Sequence, residues 1–142
     1  MRMVRMLLVA LVGVALLGAA CGSSGESTAT TKAKITTNWE AFFNPDTPTA
    51  KRLSLLENSD TAKIKAIALA QESNPQAKAT KAKVKSITVN GDNASVTYDF
   101  VSTQNGSPIL PNAQGKALKI KGTWKVSQQT FCALIALGGG SC

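Results

Sequence analysis

Apolar positions across residues 32–43 recur with helical spacing: Ile35, Trp39, Phe42 and Phe43 fall at offsets 0, 4, 7 and 8 and make one stripe. Asn44-Pro45 ends that run, because the residue before a proline is pushed out of the helical region. Thr47-Pro48 opens a short second helix through Leu53, Leu55 and Leu56, with proline in the first turn where its missing N–H is not needed. Ser59 or Asp60 is placed to cap a third helix bearing Ile64, Ile67 and Ala68 on one face, closed by Asn74-Pro75.

The period then falls to two. Over residues 81–89, Ala82 and Val84 point in while Lys81, Lys83 and Lys85 point out, and the pattern slips by one before Ile87 and Val89, which predicts a bulge. Asn90-Gly91-Asp92-Asn93 turns the chain into a second strand with Ala94, Val96, Tyr98 and Phe100 inward. Asn105-Gly106 turns again, into a short strand near Ile109-Leu110 and a loop through Pro111. One long strand is expected next, with Leu118, Ile120, Trp124 and Val126 inward, Lys119, Lys121, Thr123 and Lys125 outward, and Gly122 at a bend on the inner face. Ser127 would cap a last helix carrying Phe131, Leu134 and Ile135. Helices first and antiparallel strands afterwards is an α+β order, with the helices covering the apolar face of the sheet.

The N-terminus changes the picture. Arg2 and Arg5 precede an uncharged run, Met6–Ala20, that closes on Gly18-Ala19-Ala20-Cys21. A basic head, a short apolar stretch and a small-residue cleavage site make an export signal over residues 1–20. The run is shorter than the about 20 residues a membrane-spanning helix needs. Cysteine directly after the small residues resembles the lipobox of bacterial lipoproteins, so Cys21 is the expected lipid attachment site. Gly18 stands where that motif usually carries leucine, and cleavage by an ordinary secretory peptidase would leave a secreted protein instead. Residues 21–31, rich in Gly, Ser and Thr, read as a flexible tether, leaving residues 32–142 as a single domain. The expected location is the extracytoplasmic face of the membrane.

The formal charge of +8 falls to +6 once Arg2 and Arg5 leave with the signal. That surplus favours soft association with anionic surfaces without defining a site. Cys132 and Cys142 are an even pair in an exported chain and read as a disulfide, with Gly138-Gly139-Gly140-Ser141 as a pliable return. Two redox or metal thiols are the alternative reading; against it stand the absence of histidine and of any C-x-x-C. No Gly-rich phosphate loop, nucleophile elbow or metal-ligand cluster occurs, so no cofactor and no metal is expected.

At Trp39-Glu40-Ala41-Phe42-Phe43, at Lys51-Arg52-Leu53-Ser54-Leu55-Leu56-Glu57-Asn58 and along residues 122–132, the chain resembles the actinobacterial low-molecular-weight secreted antigen family. The domain of that family is similar to nuclear-transport-factor-2-like folds. The resemblance implies a curved antiparallel sheet wrapped around N-terminal helices, with a short C-terminal helix, and it implies no chemistry.

Two candidate sites follow. Trp39, Phe42, Phe43, Tyr98, Phe100 and Trp124 would line a cavity between sheet and helices able to take a small apolar ligand, unless these rings simply fill the core. Lys81, Lys83 and Lys85, with Lys119, Lys121 and Lys125, would share the outer face of the sheet and meet envelope anions, unless that face is merely solvated. Nucleic acid is not an expected partner, since the chain is exported and no aromatics interleave the lysines. An enzyme would need a carboxylate, Tyr98 or a lysine as acid or base; Asp99 faces away from Tyr98, and Glu40 and Glu57 sit on helices. The expectation is a non-enzymatic binding or accessory module. A small-molecule enzyme or carrier and an adhesive surface protein are the alternatives.

Overall fold

The computed structural model describes residues 25–142. Helix α1 (Thr28–Phe42) starts four residues before the expected domain boundary. Ser27 Oγ accepts the Thr30 N–H at 3.1 Å and caps it. Thr31 extends the Ile35, Trp39 and Phe42 stripe by one more turn and is itself buried, so the end of the presumed tether is helix. The leader and Cys21 lie outside the described residues.

Helix α2 (Thr49–Ser54) is shorter than expected. Leu55 and Leu56 leave it to form a parallel rung on the sheet: the Val126 N–H donates to the Leu55 carbonyl at 2.8 Å and the Glu57 N–H to the Val126 carbonyl at 2.9 Å. Both leucines are fully buried there. Glu57 is therefore in a turn, not a helix, and its Oε2 accepts the Gln128 N–H at 2.8 Å.

Helix α3 (Ala62–Ala70) follows Thr61 and has no side-chain cap; Ser59 instead donates to the Leu53 carbonyl. A 3-10 turn at Gln71–Ser73 precedes helix α4 (Pro75–Ala79), which the sequence reading missed. Asn74-Pro75 does close the preceding helical run, and it also opens this one, with Asn74 Oδ1 accepting the Gln76 N–H and proline at the first turn.

Strands β1 (Thr80–Asn90), β2 (Asn93–Ser102), β3 (Pro108–Ile120) and β4 (Thr123–Val126) form an antiparallel meander in that order. The register between β1 and β2 shifts between Val84 and Ser86, where the bulge was expected. Glu40 on α1 reaches this bulge, its Oε1 accepting the Val84 N–H at 3.0 Å, which ties helix to sheet.

The long strand expected over 118–126 is two strands. Lys121 (φ 49°) and Gly122 (φ 80°) form a two-residue hairpin turn, the geometry that matches strand twist. Lys119 pairs with Trp124 and Leu118 with Lys125. Paired residues share a face, so Lys119 lies on the helix side with buried Trp124, whereas Leu118 and Ile120 lie on the far side. Gly122 is in the turn.

Helix α1 crosses the inner face between β1 and β4, tied by Asn38 Nδ2 donating to the Trp124 carbonyl at 2.9 Å. Helix α5 (Gln128–Leu137) packs on β3, where the Lys116 N–H donates to Thr130 Oγ1 at 2.8 Å. Ser127 Oγ caps α5 by accepting the Thr130 N–H, as its sequence position implied. The fold is α+β: N-terminal helices on a bulged antiparallel sheet, closed by a short C-terminal helix.

Candidate functional site

The C-terminal end of α1, the ends of β2 and β3, helices α2 and α5 and the turn after α3 do not meet completely. Between them is an open cleft of about 680 Å³. Its floor holds Phe42, Phe43, Phe100 and Phe131, and Leu53, Leu134 and Ile135 continue the apolar lining. The rings pack edge to face, Phe42 with Phe43 at 4.7 Å, Phe43 with Phe100 at 5.1 Å and Phe42 with Phe131 at 6.1 Å, which holds the floor rigid. At the mouth Ile109, Leu110 and Leu137 are exposed, Leu137 to 75%. Such a volume lies within the about 300–1,000 Å³ typical of small-molecule pockets.

One wall differs. Arg52 Nη2 meets Glu72 Oε1 at 3.2 Å, and the Thr49 hydroxyl donates to the same oxygen. Gln71 and Gln76 lie beside them. The cleft is thus apolar on the floor and α5 side and polar along the wall of residues 49–76.

Of the residues expected to line a cavity, Phe42, Phe43 and Phe100 do so. Trp39, Tyr98 and Trp124 do not: they are 1%, 0% and 3% exposed and belong to the core beneath. Trp39 in the last turn of α1, Tyr98 in β2 and Trp124 in β4 sit where helix meets sheet, whereas the cleft opens at the ends of the strands. Tyr98 is enclosed by Trp39, Phe43 and Phe100 at centroid distances of 5.1, 5.8 and 5.2 Å. Among the described residues its hydroxyl has no hydrogen-bond partner, and burial pushes its pKa up to about 12. A phenol of this kind is a poor acid or base near neutrality.

Sequence reasoning missed Arg52, Glu72 and Phe131 as lining residues. Phe131 was visible only as a helix-stripe position, and nothing local marks Arg52 and Glu72, 20 residues apart, as partners.

Cys132 and Cys142 are disulfide-bonded, with Cα atoms 5.5 Å apart. The bond folds the chain after α5 back along the helix, so that Gly138 and Gly140 complete one side of the cleft.

The six lysines do not form one face. Lys81, Lys83 and Lys85 are on β1 and Lys125 on β4, the two opposite edges of the sheet. Two strands intervene, a separation of about 14 Å at the usual strand spacing. Lys119 is turned to the inner side and Lys121 sits in the hairpin. Lys83 pairs across the ladder with Asp99, and Lys85 Nζ donates to Asn112 Oδ1 at 2.8 Å, with Asp99 Oδ1 at 3.6 Å. With β2 and β3 between them, the lysines of β1 and Lys125 of β4 are not cross-strand neighbours.

Residues 28–142 match the C-terminal domain of low molecular weight antigen MTB12. The chain belongs to the MTB12 antigen family. Its fold class agrees with the one that the resemblance to low-molecular-weight antigens implied. Among solved structures, a proposed NTF2-like transpeptidase from Campylobacter jejuni is similar at a TM-score of 0.43 and 16% identity, over 71% of this chain and 98% of that one. A likeness of that size carries no chemistry across. Compared with curated proteins by sequence, this MTB12-family chain matches none. Among its described residues no group of His, Cys, Asp and Glu side chains could hold a metal ion, and no helix is long and apolar enough to cross a membrane.

Proposed function

We propose that this MTB12-family chain is exported, held at the outer face of the membrane through a lipid on Cys21, and works as a non-enzymatic binding module whose cleft takes a small, largely apolar molecule. The cleft carries this reading: about 680 Å³ lined by four phenylalanines and by leucine and isoleucine. Apolar surface of this kind is unfavourable in contact with water, and covering it with a ligand releases free energy in proportion to the area removed from solvent. The exposed Ile109, Leu110 and Leu137 extend the apolar surface to the mouth, where a ligand would enter. The non-enzymatic part is supported by the chain having no histidine, and by Arg52 and Glu72, the charged lining groups among the described residues, being paired with each other.

Native mass spectrometry of the protein recovered gently from its own envelope tests the reading. A co-purifying mass in the lipid or small-apolar range, lost from an Ile135→Glu variant, is the expected result. Recovery without any adduct, together with no thermal shift from a panel of apolar probes, would overturn it.

A further inference from the structure

The polar wall of the cleft narrows the ligand class, and this step rests on the cleft being a ligand site. Among the described residues, Arg52 and Glu72 are the charged groups that line it, and no lysine does. Their charges already cancel: Glu72 Oε1 accepts from Arg52 Nη2 and from the Thr49 hydroxyl. The wall therefore offers hydrogen bonds without net charge. Arg52 keeps N–H donors beyond the one given to Glu72, among them a buried Nε–H with no partner among the described residues. Gln76 adds an amide, and Gln71 accepts from Asn74 through Oε1 while its own NH₂ remains a donor.

From this balance we infer that the cleft binds a single-chain amphiphile with an uncharged, oxygen-bearing head, such as a monoacylglycerol, with its acyl chain on the phenylalanine floor and its head against Thr49, Arg52 and Glu72. A fatty-acid carboxylate in the same place would face the Glu72 carboxylate. A fatty amine would face Arg52. Each charged head meets a like charge in a partly desolvated site, which discriminates against it, while a neutral ester or hydroxyl oxygen accepts from Arg52 without displacing Glu72.

Calorimetric titration of the full chain with monooleoylglycerol, oleate and oleylamine, each kept below its micelle-forming concentration, tests the inference. The acyl portions match closely, so differences report the head. Monooleoylglycerol is expected to bind at least about tenfold more tightly than either charged probe. Glu72→Gln, which keeps an acceptor for Arg52 but removes the negative charge, should raise oleate affinity by about tenfold. Arg52→Gln should do the same for oleylamine. Circular dichroism unchanged from the parent shows that the variants are folded, and a role of the ion pair confined to stability would not move head-group preference. Equal binding of oleate and monooleoylglycerol by the parent chain, unaltered in Glu72→Gln, overturns the head-group inference but leaves the cleft as a ligand site. Failure of all three probes to bind overturns both.

Discussion

Trp39 and Gly115 are in such close apposition that a Cβ on Gly115 would lie 2.6 Å from Cη2 of the indole and 2.6 Å from the Thr130 methyl. The bare backbone of β3 at this point is what lets α1 and α5 settle on the same stretch of sheet. Gly115→Ala should therefore destabilise the domain by about 1–3 kcal/mol, the usual penalty of overpacking a filled core. Urea unfolding followed by tryptophan fluorescence measures it. An unchanged midpoint would mean that Trp39 has room to move.

Tyr98 is the only tyrosine in the chain, so its ionisation can be followed without overlap. Burial lifts its pKa from the ordinary 10.0 to about 12, which means that the folded state favours the neutral phenol. The unfolded chain releases this proton first. The contribution to stability is complete below pH 10 and is lost as pH rises from about 10 to about 12. Tyrosinate absorbance should stay low until it rises near pH 12 or together with unfolding. A titration near pH 10 in the folded protein would contradict the enclosure by Trp39, Phe43 and Phe100.

The Cys132–Cys142 bond closes a loop of 10 residues in sequence separation. On the chain-entropy account such a loop contributes about 2–3 kcal/mol. Cys132→Ser with Cys142→Ser should lower the melting temperature accordingly. Because Gly138 and Gly140 border the cleft, the same variant should weaken ligand binding more than it alters the circular dichroism of the rest. Two free thiols in non-reduced peptide maps would remove both expectations.

Cys21→Ser removes the thiol that an acyl transfer would need. The variant should appear in the soluble extracellular fraction while the parent stays with membranes, as separated by ultracentrifugation and checked by intact mass. Equal membrane retention of both forms would count against the anchor.

What could be read from the chain was local. The Ile35, Trp39 and Phe42 stripe, the Ser127 cap, the Asn90–Asn93 turn and the slip that marks the β1 bulge each depend on residues a few positions apart. The hairpin at Lys121-Gly122 escaped because a two-residue turn inverts the parity of alternation. Leu118, Ile120, Trp124 and Val126 look like one inward row in the sequence, yet the first two and the last two end on opposite faces. Polar residues between Asn112 and Lys116 likewise hid the continuity of β3, whose Gly115 is selected by its neighbours in space and not by strand preference.

By itself, then, the order of residues determined the α+β succession, most of the helices and strands, the pairing of the last two cysteines and the inward side of β1 and β2. Tertiary structure alone decided that Phe131 joins Phe42, Phe43 and Phe100 on one floor, that Arg52 neutralises Glu72, and that the lysines part to opposite edges. The reason is physical: periodicity and capping act over a turn or a strand, whereas a cleft exists only where several such elements stop short of one another.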